Sequence, residues 1–106
     1  MTEKEFVVEI TLTDRIRRSH VTERGKVIRF VAQYEVLIDQ EWVAVVRYDT
    51  AHGFAHRDVM RPRQRSADKT RLHLQDFGEA YAFAVHDLGM NWRRYREQYE
   101  QEVKRR

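Results

Sequence analysis

Residues 47–58 form the stretch that decides the fold and read Arg-Tyr-Asp-Thr-Ala-His-Gly-Phe-Ala-His-Arg-Asp. The pair His52-Gly53 is a turn signal between two extended segments, and a tight turn there places Asp49 opposite His56. Two residues further from the turn on each strand, Arg47 then faces Asp58. Side chains alternate between the two faces of a strand, so these four residues are expected on one face of a sheet.

The polar quartet, defined as Arg47, Asp49, His56 and Asp58, has two interpretations that the sequence leaves open. In the first it is a catalytic site, because a carboxylate-oriented imidazole transfers protons near neutral pH and an arginine stabilises a phosphate. In the second it is a structural ladder of ion pairs that fixes the strand register. His52 and His56 flank a turn, and a third convergent ligand is not assured, so we predict no metal site and no cofactor.

The preceding hairpin sets the surroundings expected for the quartet. A two-residue loop at Asp39-Gln40 joins a strand over 26–38 to a strand over 42–50. This loop aligns Tyr34 with Val45 and Ala32 with Arg47. The quartet is therefore expected to share a face with the apolar residues Phe30, Tyr34, Val36, Val43 and Val45. Tyr48 is expected to point to the opposite face, and it is left out of the candidate site.

The remaining segments predict the rest of the sheet. Residues 6–12 are rich in β-branched side chains and predict a strand, and residues 15–25 predict a strand end followed by a turn. Further strands are expected over 54–60 and 71–74, with an exposed arginine-rich loop over 61–69 between them. The fold class predicted is α+β, an antiparallel meander of four to five strands, about residues 6–74, covered by one C-terminal helix over about 76–104.

A change of hydrophobic period marks the helix. Asp76 followed by Glu79 resembles a capping box, and apolar residues then recur every three or four positions. This stripe comprises Phe77, Ala80, Tyr81, Ala84, Leu88, Trp92, Tyr95 and Tyr99. A sheet with one apolar face requires such a packing face. The C-terminal end of the stripe also has a second interpretation. In that alternative, the interface candidates Trp92, Tyr95 and Tyr99 pack on a second chain.

Composition limits the class of protein. The chain has 106 residues, of which 42% are hydrophobic and 35% are charged, and it contains no cysteine. These values are typical of one globular domain over residues 1–106, and they exclude a disulfide scaffold and a thiol nucleophile. No apolar run approaches the roughly 20 residues of a membrane helix, and the polar N-terminus does not resemble a signal peptide. We therefore expect a soluble cytoplasmic protein without a membrane partner.

Positive charge is concentrated in two segments. Residues 57–71 carry a net charge of +4 and residues 93–106 a net charge of +3, against +3 for the whole chain. Guanidinium groups suit bidentate contacts with phosphates, so the arginines of the first segment are candidates for binding nucleic acid. These candidates are Arg57, Arg61, Arg63, Arg65 and Arg71. The alternative is an ordinary solvated surface.

The block from Arg47 to Asp58 also resembles a signature of small prokaryotic proteins of unknown function, in which Arg-Tyr-Asp-x-Ala-His-Gly is followed by a helix with Asn-Trp-x-x-Tyr. Asn91, Trp92 and Tyr95 match the helix element. Gln40 stands where that pattern has glycine. A fainter similarity to TumE-type components of toxin–antitoxin systems rests on the Arg-Tyr-Asp strand and the histidine-containing segments after it. Neither resemblance implies an established activity.

These observations leave the choice between enzyme and non-enzyme open. The leading hypothesis is a binding module whose partner is RNA or another anionic polymer, a different protein, or a second copy in a homodimer. The alternative is a metal-independent RNase-like toxin–antitoxin component in which His56, Arg47 and the two aspartates do the chemistry. A third hypothesis is a small-molecule enzyme with the quartet in a pocket between sheet and helix.

Overall fold

Strand-forming segments fill the first part of the chain and one amphipathic helix fills the last. The computed structural model describes residues 1–74 and 76–104. An antiparallel sheet contains six strands in chain order, and the helix follows them. The elements are β1 (Thr2–Thr11), β2 (Asp14–Glu23), β3 (Lys26–Ile38), β4 (Glu41–Asp49), β5 (His56–Arg61), β6 (Ser66–Arg71) and α1 (Phe77–Lys104). No helix among these residues is long and apolar enough to cross a membrane.

The α+β class and the C-terminal helix are confirmed, but the described sheet has six strands rather than four to five. The segment expected to hold a strand end and a turn is the ten-residue strand β2. The arginine-rich loop expected over 61–69 shrinks to residues 62–65, because β6 occupies 66–71 and not 71–74. Both strands are rich in charged residues, so hydrophobic alternation gave little sign of them.

Tight turns connect the central strands. Asp39 and Gln40 have φ values of 51° and 67°, and Ile38 pairs with Glu41 across them. Two consecutive left-handed residues are the signature of a type I′ turn, whose twist matches that of the flanking strands. The two-residue loop is therefore as predicted, although a glutamine occupies the position that favours glycine.

Gln40→Gly is expected to raise the free energy of unfolding by about 0.5 to 1 kcal/mol, because glycine has no Cβ to strain at positive φ. Urea unfolding measures the change. Gln98→Gly is the matched control, since Gln98 is exposed in the middle of α1 and its replacement should cost about 1 kcal/mol. A loss of stability at both positions would contradict the strain argument.

An irregularity between β3 and β4 corrects the predicted register. Glu35 pairs with Ala44, but Tyr34 pairs with Val46 and Gln33 with Arg47, so β4 holds one extra residue at Val45. The expected pairs Tyr34–Val45 and Ala32–Arg47 are therefore wrong. Such a bulge displaces the following residues by one, and a displacement by one moves every later side chain to the other face.

The helix packs on the face opposite to the one that carries the quartet. The Tyr34 ring lies 6.1 Å from Trp92 and the Phe30 ring 5.2 Å from Tyr81. Val45 and Val46 at the bulge are both buried and join this core. The quartet therefore does not share the face of Phe30, Tyr34 and Val36, and the pocket expected between sheet and helix does not contain it.

The helix stripe belongs to the core of a single chain. Trp92, Tyr95 and Tyr99 are 8%, 4% and 9% exposed against the chain's own sheet. At the start of α1, the Asp76 carboxylate accepts hydrogen bonds from the backbone N–H groups of Gly78 and Glu79 at 2.6 and 3.4 Å, which is the capping role predicted for it. These three aromatic residues are therefore buried within one chain, and their role in an interface stays a prediction.

A buried carboxylate joins the β1–β2 turn to the helix. Asp14 is fully buried, and it accepts hydrogen bonds from Tyr34 Oη at 2.6 Å and Thr13 Oγ1 at 3.2 Å, and from Thr11. Arg96 of α1 forms an ion pair with it at 2.8 Å. Burial on its own raises the pKa of Asp14, but these hydrogen bonds and Arg96 outweigh it, so the pKa lies below its ordinary value.

Candidate functional site

The face of the sheet opposite to α1, which we call the open face, carries the quartet. Asp49 pairs with His56 and Arg47 with Asp58, as predicted. The tight turn expected at His52-Gly53 is wrong, however, because residues 50–55 form a six-residue loop between β4 and β5. Tyr48 points to the face opposite to the quartet, as predicted, but this is the helix side and not the side away from the apolar core that was expected. Its hydroxyl there reaches Asp87 of α1. In the described residues, no helix or second sheet covers the open face, and only the 50–55 loop folds over part of it.

Polar contacts run across the open face from β2 to β6. Arg15 Nε lies 2.6 Å from Glu35, Gln33 donates to Glu35, and Arg47 donates to Gln33 at 3.2 Å. The chain of contacts continues in a second set that involves the quartet and Lys69. Its distances are Arg47 Nε–Asp49 2.6 Å, His56 Nε2–Asp49 2.9 Å, His56 Nε2–Asp58 3.7 Å and Lys69 Nζ–Asp58 3.7 Å. These contacts connect the five strands β2 to β6 through charged side chains and Gln33.

His56 is enclosed within this chain of contacts. It is 1% exposed, and the rings of His52 and Phe54 each lie with their centres 5.6 Å from its own. Its Nε2 lies near Asp49, and its Nδ1 lies 3.4 Å from the Phe54 carbonyl oxygen. Both ring nitrogens lie against oxygen atoms of the protein, and the ring is almost completely closed to solvent.

Asp49 is the carboxylate at the centre of the quartet. Burial raises its pKa, but hydrogen bonds from the Arg47 guanidinium and the Ala51 backbone N–H outweigh the burial and leave the pKa below its ordinary value. Asp49 is therefore ionised at neutral pH and available as a fixed negative partner for His56. This environment stabilises the charged form of the carboxylate, and it does not prepare the carboxylate to take up a proton.

The cations of the open face point outward while its acids lie beneath them. The side chains of Arg17, Arg47 and Lys69 are 56%, 40% and 50% exposed. Arg29 and Arg71 are also exposed. The side chains of the acids Glu35, Asp49 and Asp58 are only 4%, 8% and 15% exposed. An incoming molecule therefore meets guanidinium and ammonium groups first.

A shallow cavity of about 340 Å³ opens on this face. Its lining includes the cations Arg29 and Arg47 together with the carboxylates of Glu3 and Asp49. The hydroxyl of Ser19 adds a hydrogen-bond donor. A small polar group fits these neighbours.

The arginines proposed for nucleic acid do not form one patch. Arg57 points to the helix side, where it donates to the Tyr95 hydroxyl at 3.3 Å. Arg61 pairs with Asp68 and Glu102, each at 2.9 Å. Arg63 and Arg65 lie exposed in the β5–β6 turn, and only Arg71 lies on the open face, with its guanidinium 4.5 Å from the Phe54 ring. Arg105 and Arg106, part of the basic tail, lie outside the described residues.

Sequence reasoning missed a second polar centre between sheet and helix. Asp87 accepts hydrogen bonds from the hydroxyls of Tyr48 and Tyr95, both at 2.6 Å, and from Asn91 at 2.7 Å. Burial raises the pKa of Asp87, yet these donors outweigh it and lower the pKa overall. The available signal was the spacing of four residues from Asp87 to Asn91 and four more to Tyr95, which places all three on one side of a helix.

Within residues 1–74 and 76–104, no group of three or more histidine, aspartate or glutamate side chains is placed to hold a metal ion. His52 stacks beside His56 but brings no third ligand with it.

Comparison with known proteins adds a family but no activity. Neither the search of curated proteins nor the search of solved structures gives a significant match. The profile of one family, described as a domain of unknown function, matches residues 1–105, which is nearly the whole chain. No link to a toxin–antitoxin system accompanies that match, so this part of the resemblance stays a prediction. The chain belongs to the DUF7718 family.

Proposed function

We propose that this protein binds single-stranded RNA on the open face of its sheet. The observation that carries the proposal is the layering of charge, with exposed cations above buried carboxylates. Phosphate contacts by lysine and arginine supply most of the sequence-independent affinity for nucleic acids. A surface that presents such groups on a rigid sheet is suited to this task.

The shape of the open face favours a single strand over a duplex. Arg17 lies on β2, Arg47 on β4 and Lys69 on β6, and neighbouring strands lie about 4.8 Å apart. The three cations thus span about 19 Å across the sheet. A flexible single strand follows such a surface and turns its bases toward protein side chains, among which His52 and Phe54 at the edge supply rings for stacking.

Binding fits the geometry of the quartet better than catalysis does. A general base needs a ring nitrogen within reach of the substrate, and both nitrogens of His56 face protein oxygens. His56 and the two aspartates instead hold β4 and β5 in register beneath Arg47. The RNase-like alternative predicts cleavage, so the recovery of intact RNA after binding separates the two functions.

Arg17→Gln combined with Lys69→Gln is expected to weaken RNA binding by roughly tenfold at about 50 mM salt. Both side chains are at least half exposed and make only long ion pairs, of 3.9 and 3.7 Å, so their loss should leave the fold intact. Fluorescence anisotropy with a labelled single-stranded RNA measures the affinity. The slope of log affinity against log salt should also become shallower by about 1.4, or about 0.7 per phosphate contact.

The matched control is Arg93→Gln combined with Arg94→Gln, which removes the same charge from the exposed surface of α1. This variant should bind RNA nearly as well as the unmodified protein. Equal weakening by both variants would show that only net charge matters, and wild-type binding that is absent or insensitive to salt would refute the proposal. Single-stranded DNA and heparin in parallel separate RNA recognition from general attraction to polyanions.

A further inference from the structure

The outer edge of β1 is long and unprotected. None of the described residues pairs with β1 on the side away from β2. Phe6, Val7 and Val8 in the middle of the strand are 40%, 56% and 46% exposed. A strand of ten residues with free backbone N–H and C=O groups and apolar side chains on both faces is a template for pairing with another strand.

The opposite edge of the sheet makes the contrast clear. The outer strand there, β6, has six residues and reads Ser-Ala-Asp-Lys-Thr-Arg, without a large apolar side chain. Natural sheets usually keep an edge strand unpaired by making it short or by placing charged side chains on it. β1 is longer and has three consecutive apolar residues at its centre, Phe6 to Val8, although charged residues flank them and a bulge at Ile10 ends its regular pairing. The two edges of one sheet are therefore built differently.

We propose that β1 pairs antiparallel with β1 of a second copy of this chain, which joins two sheets into one of twelve strands. A two-fold axis through the interface pairs residues whose numbers have a constant even sum. With the axis at Val8, Val8 faces Val8 of the second copy, and Phe6 lies beside Ile10, the extra residue of a bulge in β1. In the same register Val7 faces Glu9, and the bulge ends the regular part of the strand, so within that part no like charges lie directly opposite one another.

Charge selects this register over its neighbours. An axis at Phe6 places Glu3 opposite Glu9, and an axis at Val7 places Glu5 opposite Glu9. An axis at Glu9 places that glutamate opposite itself. Like charges directly opposite on adjacent strands destabilise a sheet, so these alternatives are disfavoured. The register centred on Val8 also puts Phe6, Val8 and Ile10 together on the helix side.

This pairing sets how the two copies are oriented. The two-fold axis is perpendicular to the sheet, because opposed side chains on antiparallel strands lie on the same face. Both helices therefore lie on one side of the joined sheet and both open faces lie on the other. The pairing itself rests only on the edge of β1 and stands independently of RNA binding.

Val8→Cys tests the register directly, because the chain contains no native cysteine. Directly opposed residues on antiparallel strands have their Cβ atoms about 4.5 to 5.5 Å apart, close to disulfide geometry. Mild oxidation of Val8→Cys should give a covalent dimer at least about tenfold faster than oxidation of Val103→Cys. Val103 is the matched control, a valine of similar exposure, 54%, near the end of α1.

Two further measurements complete the test. Val7→Cys should cross-link slowly although it is adjacent to Val8, because it faces Glu9 of the second copy. Sedimentation of the wild-type protein in the micromolar range should show a dimer that Val8→Lys dissociates without unfolding. A wild-type monomer, a species larger than a dimer, or equal cross-linking of Val8→Cys and Val103→Cys would overturn the proposal.

Discussion

Asp14→Ala is expected to lower the free energy of unfolding by about 3 to 4 kcal/mol. The substitution leaves the buried Tyr34 hydroxyl without its acceptor, which costs about 1 to 3 kcal/mol, and removes one of the two carboxylate partners of Arg96, which keeps Glu100. The Arg96 side chain is 34% exposed, so water replaces part of what this ion pair supplied. Urea unfolding at neutral pH measures the loss.

Asp14→Asn is the control for charge at constant shape. An amide oxygen still accepts the Tyr34 hydrogen bond but carries no charge for Arg96, so the loss should be smaller, about 1 to 2 kcal/mol. An alanine variant as stable as the asparagine variant would show that the ion pair, and not the hydroxyl contacts, holds this corner together. An alanine variant as stable as the wild type would contradict the stabilising role assigned to Asp14.

The dependence of folding stability on pH follows from the lowered pKa of Asp14. The folded pKa of Asp14 lies below its ordinary value of 3.8, so the carboxylate stabilises the native state above that value. The contribution is lost as the pH falls through the folded pKa. Between neutral pH and about pH 2, the wild type should therefore lose more stability than Asp14→Asn.

Trp92→Ala is expected to cost about 3 to 5 kcal/mol of unfolding free energy, because it empties a buried position beneath the sheet. Trp92 is 8% exposed and packs at 6.1 Å from the buried Tyr34 ring. If Trp92 instead belonged to an interface between chains, its loss would change the oligomeric state and leave the unfolding of the single chain largely unaltered. Thermal unfolding followed alongside sedimentation separates these outcomes.

Met90→Ala is the matched control on the same helix. Met90 lies two residues before Trp92 and is 68% exposed, so its truncation should change stability by less than about 0.5 kcal/mol. A large effect at Met90 with a small effect at Trp92 would place the packing face of α1 on its other side, in conflict with the contacts to Tyr34.

Local chemistry made part of the site predictable. The pairs Asp49–His56 and Arg47–Asp58 were predicted correctly because a loop centred between residues 52 and 53 gives the same pairing whether it has two residues or six. The face on which they lie did not follow, because it depends on the extra residue at Val45. Two adjacent valines read as ordinary strand in a sequence, whether or not both are buried at a bulge.

Polar strands and polar contacts between distant elements were harder to predict. β2 carries Arg15, Arg17 and Arg18 in a row that resembles an exposed turn, and only pairing on both sides makes it a central strand. The hydrophobic pattern of α1 does not mark the charged residue Asp87. Its partner Tyr48 lies 39 residues away along the chain. Such contacts depend on where the helix crosses the sheet, which no local pattern determines.

The bulge in β4 has a consequence for how this family can vary. The bulge takes up Val45 as an extra residue, and this places Arg47 and Asp49 on the open face and Tyr48 on the helix side. Removal of Val45 would restore a regular ladder in which Val46, Arg47 and Tyr48 keep their partners on β3, so Arg47 and Asp49 would stay on the open face. A relative that lacks this residue is therefore expected to keep the charged face and to lose only the local kink.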